Sequence, residues 1–272
     1  MLRISLFLLV AVLSLVLSSC LTIEQNITVN RDGSGVKTLT MDMGGLFDNP
    51  LMMAAMESSE AKDEPRQRDS SFVLIDDMRD NNPQWSAEDI ALLERATGRL
   101  QMDMDEQVLM MSFTMPFNSF DELAHMEKLI GEAKEQEDAD PETEGGDADL
   151  LGMLSNFGGS MAGSSKGSTY DYRKGRLTVT TPPTEGDPSD WMGLGDDTDE
   201  DMDGMDEMVK GMLQEMVIIT TYTLPGKVTK VTGLKDAVTD GNSVYQEVQF
   251  ETLMDNPDEY LSGQEVTIKF KK

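Results

Sequence analysis

The sequence predicts an α+β fold: a mainly antiparallel sheet built from hairpins, packed with a few helices and carrying two acidic disordered inserts. Three observations predict it. Runs of alternating apolar and polar residues come in neighbouring pairs joined by turn-forming residues. Helix signatures are few. No regular strand–helix–strand alternation is present, which disfavours a doubly wound parallel sheet, and no repeat of about 20–50 residues points to a solenoid or propeller.

Taken in order, Ile23–Asn30 alternates Ile23, Gln25, Ile27 and Val29 against Glu24, Asn26 and Thr28. Arg31-Asp32-Gly33-Ser34-Gly35 is turn chemistry, and Val36–Met43 alternates again, so the first two strands form a hairpin. Asp48 or Asn49 with Pro50 opens a predicted helix over Leu51–Ala61. Lys62–Ser70 reads as a polar break and Phe72–Ile75 as a short strand. Ser86 caps a helix over Ala87–Ala96, with Asp89 at the capping-box position and Trp85 placed as a hydrophobic staple. Arg99–Asp105 and Gln107–Met115 read as a hairpin. Ser119 and Glu122 bracket the start of a helix running to about Gln136, with Phe120, Leu123, Met126 and Ile130 as its apolar stripe.

The second half continues in the same manner. Leu150–Phe157 reads as a short helix and Gly158–Ser168 as a flexible link. Thr169–Tyr172 and Arg176–Thr181 make a hairpin around Lys174-Gly175. A helix is expected over Met205–Glu215, and strands over Val217–Thr223, Lys227–Val231, Ser243–Phe250 and Glu265–Phe270, with Leu253–Leu261 as a short helix or turn.

Charge and composition exclude whole classes. The 272 residues hold 51 acids against 22 bases, a formal net charge of −29, and no basic patch offers a nucleic acid its phosphate contacts. One Cys rules out an internal disulfide, and one His argues against a His-based zinc or iron centre. The acidity is uneven. Glu132–Asp149 carries nine acids and one Lys, and Glu185–Glu207 carries eleven acids and no base. The rest of the chain is only moderately acidic.

The N-terminus is the most specific feature. Ile4–Leu17 is a run of 14 residues, apolar except for Ser5 and Ser14, behind a single Arg3. A spanning helix needs about 20 residues, so this run reads as the apolar region of a secretory signal. Leu17-Ser18-Ser19-Cys20 then matches a bacterial lipobox: an aliphatic residue, two small residues and the chain's one Cys. Cleavage is expected between Ser19 and Cys20, with acylation at Cys20; two or more acyl chains, each contributing about 0.8 kcal/mol per buried CH₂, anchor stably. Leu21 in place of an Asp leans toward the outer membrane, facing the periplasm.

This divides the chain into a signal peptide over 1–19, an N-terminal α+β part over 20–131 anchored at Cys20, and an acidic, flexible insert over 132–168. A C-terminal β-rich part comes next over 169–272, with an acidic loop over 182–204, all as one composite domain.

Candidate chemistry is sparse. Asp199, Asp201 and Asp203 before Gly204 alternate as in an EF-hand loop, where carboxylates converge on a hard cation. Position 12 of such a loop is Lys210 rather than a bidentate Glu, so weak Ca²⁺ binding is the most this cluster predicts, and no cofactor is expected. Met41/Met43, Met102/Met104 and Met202/Met205/Met208 have spacings that thioether copper sites use. Packing accounts for them better, since Met205, Met208, Met212 and Met216 share one helical face. His125 lies off its helix's apolar stripe and is expected at the surface. No G-x-S-x-G, P-loop or G-x-G-x-x-G sequence occurs. Trp191, alone in the acidic loop, reads as local packing or a docking anchor.

The opening Cys20–Gly35, with its strand, N-x-D-G-S-G turn and second strand, resembles uncharacterised envelope lipoproteins of the Bacteroidota type, as do Trp85–Leu93, Met102–Met115 and Phe117–Leu123. Leu224-Pro225-Gly226-Lys227-Val228, with the Ser243–Phe250 strand, resembles the β-domain of LppM-like bacterial lipoproteins. The resemblance implies an anchored α+β domain in the cell envelope and brings no catalytic residue with it. The expectation is therefore a non-enzymatic binding or structural module, tethered through Cys20 and meeting an envelope protein or an apolar ligand. Its rivals are a Ca²⁺ binder using residues 196–207 and, less well supported, a carboxylate-based hydrolase.

Overall fold

The computed structural model describes residues 21–48, 66–75, 82, 84–137, 168–181, 215–256 and 265–271. They form an α+β structure of two sheets with three helices. The strands are β1 (Thr22–Val29), β2 (Gly35–Asp42), β3 (Gln67–Val73), β4 (Thr97–Asp103), β5 (Val108–Phe117), β6 (Thr169–Arg173), β7 (Arg176–Thr180), β8 (Val217–Thr223), β9 (Lys227–Thr232), β10 (Val238–Asp240), β11 (Ser243–Gln249) and β12 (Glu265–Lys271). The helices are α1 (Ala87–Leu93), α2 (Phe120–Glu137) and α3 (Phe250–Asp255), and a 3₁₀ turn covers Gly44–Asp48.

The larger sheet has eight strands in the order β10-β11-β8-β1-β2-β5-β4-β3, and the smaller has four in the order β6-β7-β12-β9. All pairings are antiparallel except β1 with β8, which run parallel from Thr22↔Val217 to Thr28↔Thr223. The β1–β2 hairpin forms as the sequence predicts. Asn30 N–H donates to Ser34 O at 2.8 Å, and Gly33 takes φ +95°, a conformation that carries no steric cost without a Cβ.

One face of the larger sheet is buried. A first apolar cluster joins Ile27, Val29, Met115 and Phe117 of that sheet to Leu123, Met126 and Leu129 of α2 and to Leu177, Val179, Ile268 and Phe270 of the smaller sheet. A second gathers Leu21, Ile23, Met41, Phe47, Met111, Met216 and Phe250, with Met43, Met102 and Met104 packed against it. The two M-x-M pairs thus meet as packing, as the apolar reading expects. The opposite face alternates to polar residues, the pattern of an antiparallel sheet with one wetted side.

Several boundaries differ from the sequence reading. β3 begins at Gln67, inside the stretch read as a polar break, because an edge strand can carry polar side chains and still pair along its length with β4. Leu74 and Ile75, read as its end, leave the strand and are buried. α1 stops at Leu93, short of Ala96. Phe250 opens α3 rather than ending β11. The helices expected over 51–61, 150–157 and 205–215, most of the insert over 132–168 and the loop over 182–204 lie outside the described residues.

Candidate functional site

α2 carries Leu123, Met126 and Glu127 on its buried side, so one carboxylate sits in an otherwise apolar stripe. β2 alternates Gly35, Lys37, Leu39 and Met41 inward, so one ammonium sits on an otherwise apolar strand face. The two meet. Lys37 Nζ donates to Glu127 Oε1 at 2.7 Å, with side-chain exposures of 2% and 0%. Tyr170 of β6 donates its hydroxyl to the same oxygen at 2.6 Å, and Ser168 N–H donates to Oε2 at 3.2 Å. In register, Lys37 lies between Ile27 of β1 and Met115 of β5, in the middle of the sheet.

The electrostatics result from this enclosure. Burial first, and then the Glu127 charge, push the Tyr170 phenol well above its ordinary range. It therefore remains a donor to the carboxylate. Tyr222 of β8, also buried, is raised by the same two causes in the same order. Phe120 stacks on Tyr170 with centroids 5.2 Å apart and contacts Tyr172 at 5.4 Å, while Tyr172 stacks on Phe270 at 6.2 Å. This aromatic row closes the centre on the smaller-sheet side. The arrangement ties β2, α2 and β6 together around one carboxylate whose oxygens are engaged by three donors.

A second constellation lies at the surface. Ser86 caps α1: Asp89 N–H donates to Ser86 Oγ at 3.2 Å, and Ser86 N–H donates to Asp89 Oδ2 at 2.9 Å, the predicted capping box. His125 Nε2 lies 2.6 Å from Asp89 Oδ1, and Ser86 Oγ lies 2.7 Å from Asp89 Oδ2. The Ser86 hydroxyl and then His125 hold the Asp89 carboxyl down at about 2. A nucleophile relay needs the imidazole between hydroxyl and carboxylate. Here the carboxylate is in the middle, so the group caps α1 and braces it on α2 without activating the serine. His125 is half exposed, at 46%, as its position off the stripe predicts, and it has this acidic partner. A neighbouring brace joins the turn after α1 to α2: Arg95 Nη2 donates to Glu122 Oε2 at 2.7 Å and to Pro116 O at 3.3 Å. Burial pushes Glu122 up, but Arg95 and Asn118 outweigh it and leave the carboxyl below its usual range.

Trp85 is buried in the first cluster, consistent with its staple reading, and among the described residues its indole N–H has no hydrogen-bond partner. Ser19, Cys20, Trp191 and the Asp199, Asp201 and Asp203 cluster lie outside the described residues. Among the described residues, no group of three His, Cys, Asp or Glu side chains is placed to hold a metal ion, and no helix is long and apolar enough to cross a membrane.

No family model matches the chain, and no curated protein matches it. Among solved structures it matches the NMR structure of the folded domain of LppM from Mycobacterium tuberculosis, with a TM-score of 0.34 and 9% identity. The match covers 93% of this chain and 91% of that one. The similarity is weak, and no residue role is transferred from it.

Proposed function

We propose that the protein is a cell-envelope lipoprotein: a non-enzymatic binding module held at a membrane by acyl chains on Cys20. The observation that carries this reading is the lipobox Leu17-Ser18-Ser19-Cys20 at the end of the Ile4–Leu17 apolar run. The residues just after the Cys support it. Leu21 is already buried at 8% exposure, its carbonyl accepts from Val217 N–H at 3.0 Å, and β1 starts at Thr22. One residue spans at most about 3.6 Å. The described body thus begins at the residue after the proposed acylation site, which supports a body held at the lipid surface without a long linker. Leu21 after the Cys favours the outer membrane with the body facing the periplasm.

The non-enzymatic part of the reading is supported by the two polar constellations found among the described residues. One is sealed and its carboxylate is fully engaged. The other places its acid where a relay needs its base. The test is processing. Cys20→Ser should abolish incorporation of radiolabelled palmitate and leave a precursor that retains residues 1–19. A Cys20→Ser protein that is cleaved and fractionates with membranes as the wild type does would overturn the assignment.

A further inference from the structure

The wetted face of the larger sheet has a property that a chain of net charge −29 makes unexpected: one register row crosses all eight strands without a charge. At its centre, Thr221 pairs with Asn26, Asn26 with Thr38, Thr38 with Thr114, and Thr114 with Thr97. At one end Thr221 pairs with Tyr245, and Tyr245 with Val238; at the other, Thr97 pairs with Val73. These residues alternate with the inward Tyr222, Ile27, Lys37 and Met115, so they lie on the outer face, except that Val73 at the row's end packs against the first apolar cluster. Strands lie about 4.8 Å apart, so the row extends for roughly 34 Å. The row on one side adds Ser243, Thr223, Thr28 and Val36 and ends on Asp240 of β10. The row on the other side restores charge with Glu247, Glu24 and Arg99.

A second observation falls on the same surface. The exposed large hydrophobics among the described residues are Val238 at 62%, Tyr245 at 37% and Val36 at 36%, and all three lie on this face. The Tyr245 hydroxyl donates to Glu247 beside it, which fixes the ring at the sheet's margin.

We infer that this row is a binding surface for an uncharged polysaccharide, which lies across the strands. The inference names a ligand class for the binding module proposed above, and it does not depend on the acyl anchor. Charge complementarity selects the occupant. An anionic polymer meets a strongly negative protein with no cation on the row, and a cationic one finds carboxylates only in the flanking rows, at Asp240, Glu247 and Glu24. Threonine and serine hydroxyls both donate and accept, which suits a ligand whose own groups are hydroxyls. Tyr245 supplies an amphipathic ring against which the C–H face of a sugar can rest. A protein partner would favour an interface centre of aromatic, Met and Arg residues, whereas the centre here is Thr and Asn.

The test uses the full-length acylated protein in detergent. It is run through native gels cast with an uncharged β-glucan, with dextran, or with alginate as a polyanionic control. At least one uncharged glucan should retard the protein, and alginate should not. Thr38→Val with Thr114→Val keeps the β-branched shape and removes two central hydroxyls; it should weaken retardation about tenfold, as should Tyr245→Ala. No retardation by either uncharged glucan, or equal retardation of the wild type and both variants, would overturn the inference. So would self-association of the wild type that both variants lose, since the face would then join two copies of the chain. Cys20→Ser run alongside should be retarded like the wild type, so a failed anchor and a failed binding surface give different results.

Discussion

Lys37→Met should destabilise the protein by about 3–5 kcal/mol, because it leaves the Glu127 carboxylate buried without its countercharge. The size comes from the geometry. At 2.7 Å and an effective dielectric of about 20, the pair's attraction is on the order of 6 kcal/mol. Removing both charges from water costs several kcal/mol per ion, so the intact pair is worth little against an apolar pair. Breaking it loses the attraction and keeps one desolvation penalty. Glu127→Gln should cost at least as much as Lys37→Met. In Lys37→Met the carboxylate still accepts from Tyr170 at 2.6 Å and from Ser168 at 3.2 Å, whereas in Glu127→Gln the buried ammonium loses its charge partner. The double variant carries no buried charge, and its amide oxygen still accepts from Tyr170. Its loss should be smaller than the sum of the two single losses by about 2 kcal/mol or more. Tyr170→Phe, which removes one charge-assisted hydrogen bond, should cost about 1.5–3 kcal/mol. Urea unfolding reads all four, with midpoint shifts of about 1 M or more for the single charge changes. If the two single losses add in the double variant to within about 0.5 kcal/mol, the pair is not coupled and the reasoning fails.

The remaining predictions concern the cap and a tight hairpin. Asp89 has a folded-state carboxyl pKa of about 2 against an ordinary 3.8, so its contribution is complete above about pH 4 and is lost as pH falls toward 2. Asp89→Ala should cost about 1–2 kcal/mol near neutrality, and the gap to wild type should narrow at about pH 3; a gap independent of pH would contradict the capping role. Gly35→Ala places a Cβ against the Thr28 carbonyl and the Phe117 ring across the hairpin, which should cost about 1–3 kcal/mol by thermal unfolding, and a neutral result would mean the hairpin can open there.

What was legible in the sequence was local. The Ser86/Asp89 capping box, the Asn30–Ser34 turn and the β6–β7 hairpin each depend on residues within a few positions of one another. The parallel register of β1 against β8 was not, because it joins Thr22 to Val217 and no spacing in the chain encodes so distant a partner. β10 was missed because three residues make too short an alternation to register. The buried centre is a different case, since each of its charges breaks a pattern that the sequence does show. Lys37 falls on the inward parity of a strand that otherwise reads Gly35, Leu39 and Met41, and Glu127 falls four residues after Leu123, on the apolar side of α2. A single charge on a buried face is a costly anomaly. Two of opposite sign, on elements that must both face one core, relieve each other only by meeting. Reading the exceptions to each apolar stripe, rather than the stripes alone, would have placed α2 over β2 at this position from the sequence. It would not have supplied Tyr170, whose strand alternation gives no sign of which carboxylate its hydroxyl reaches.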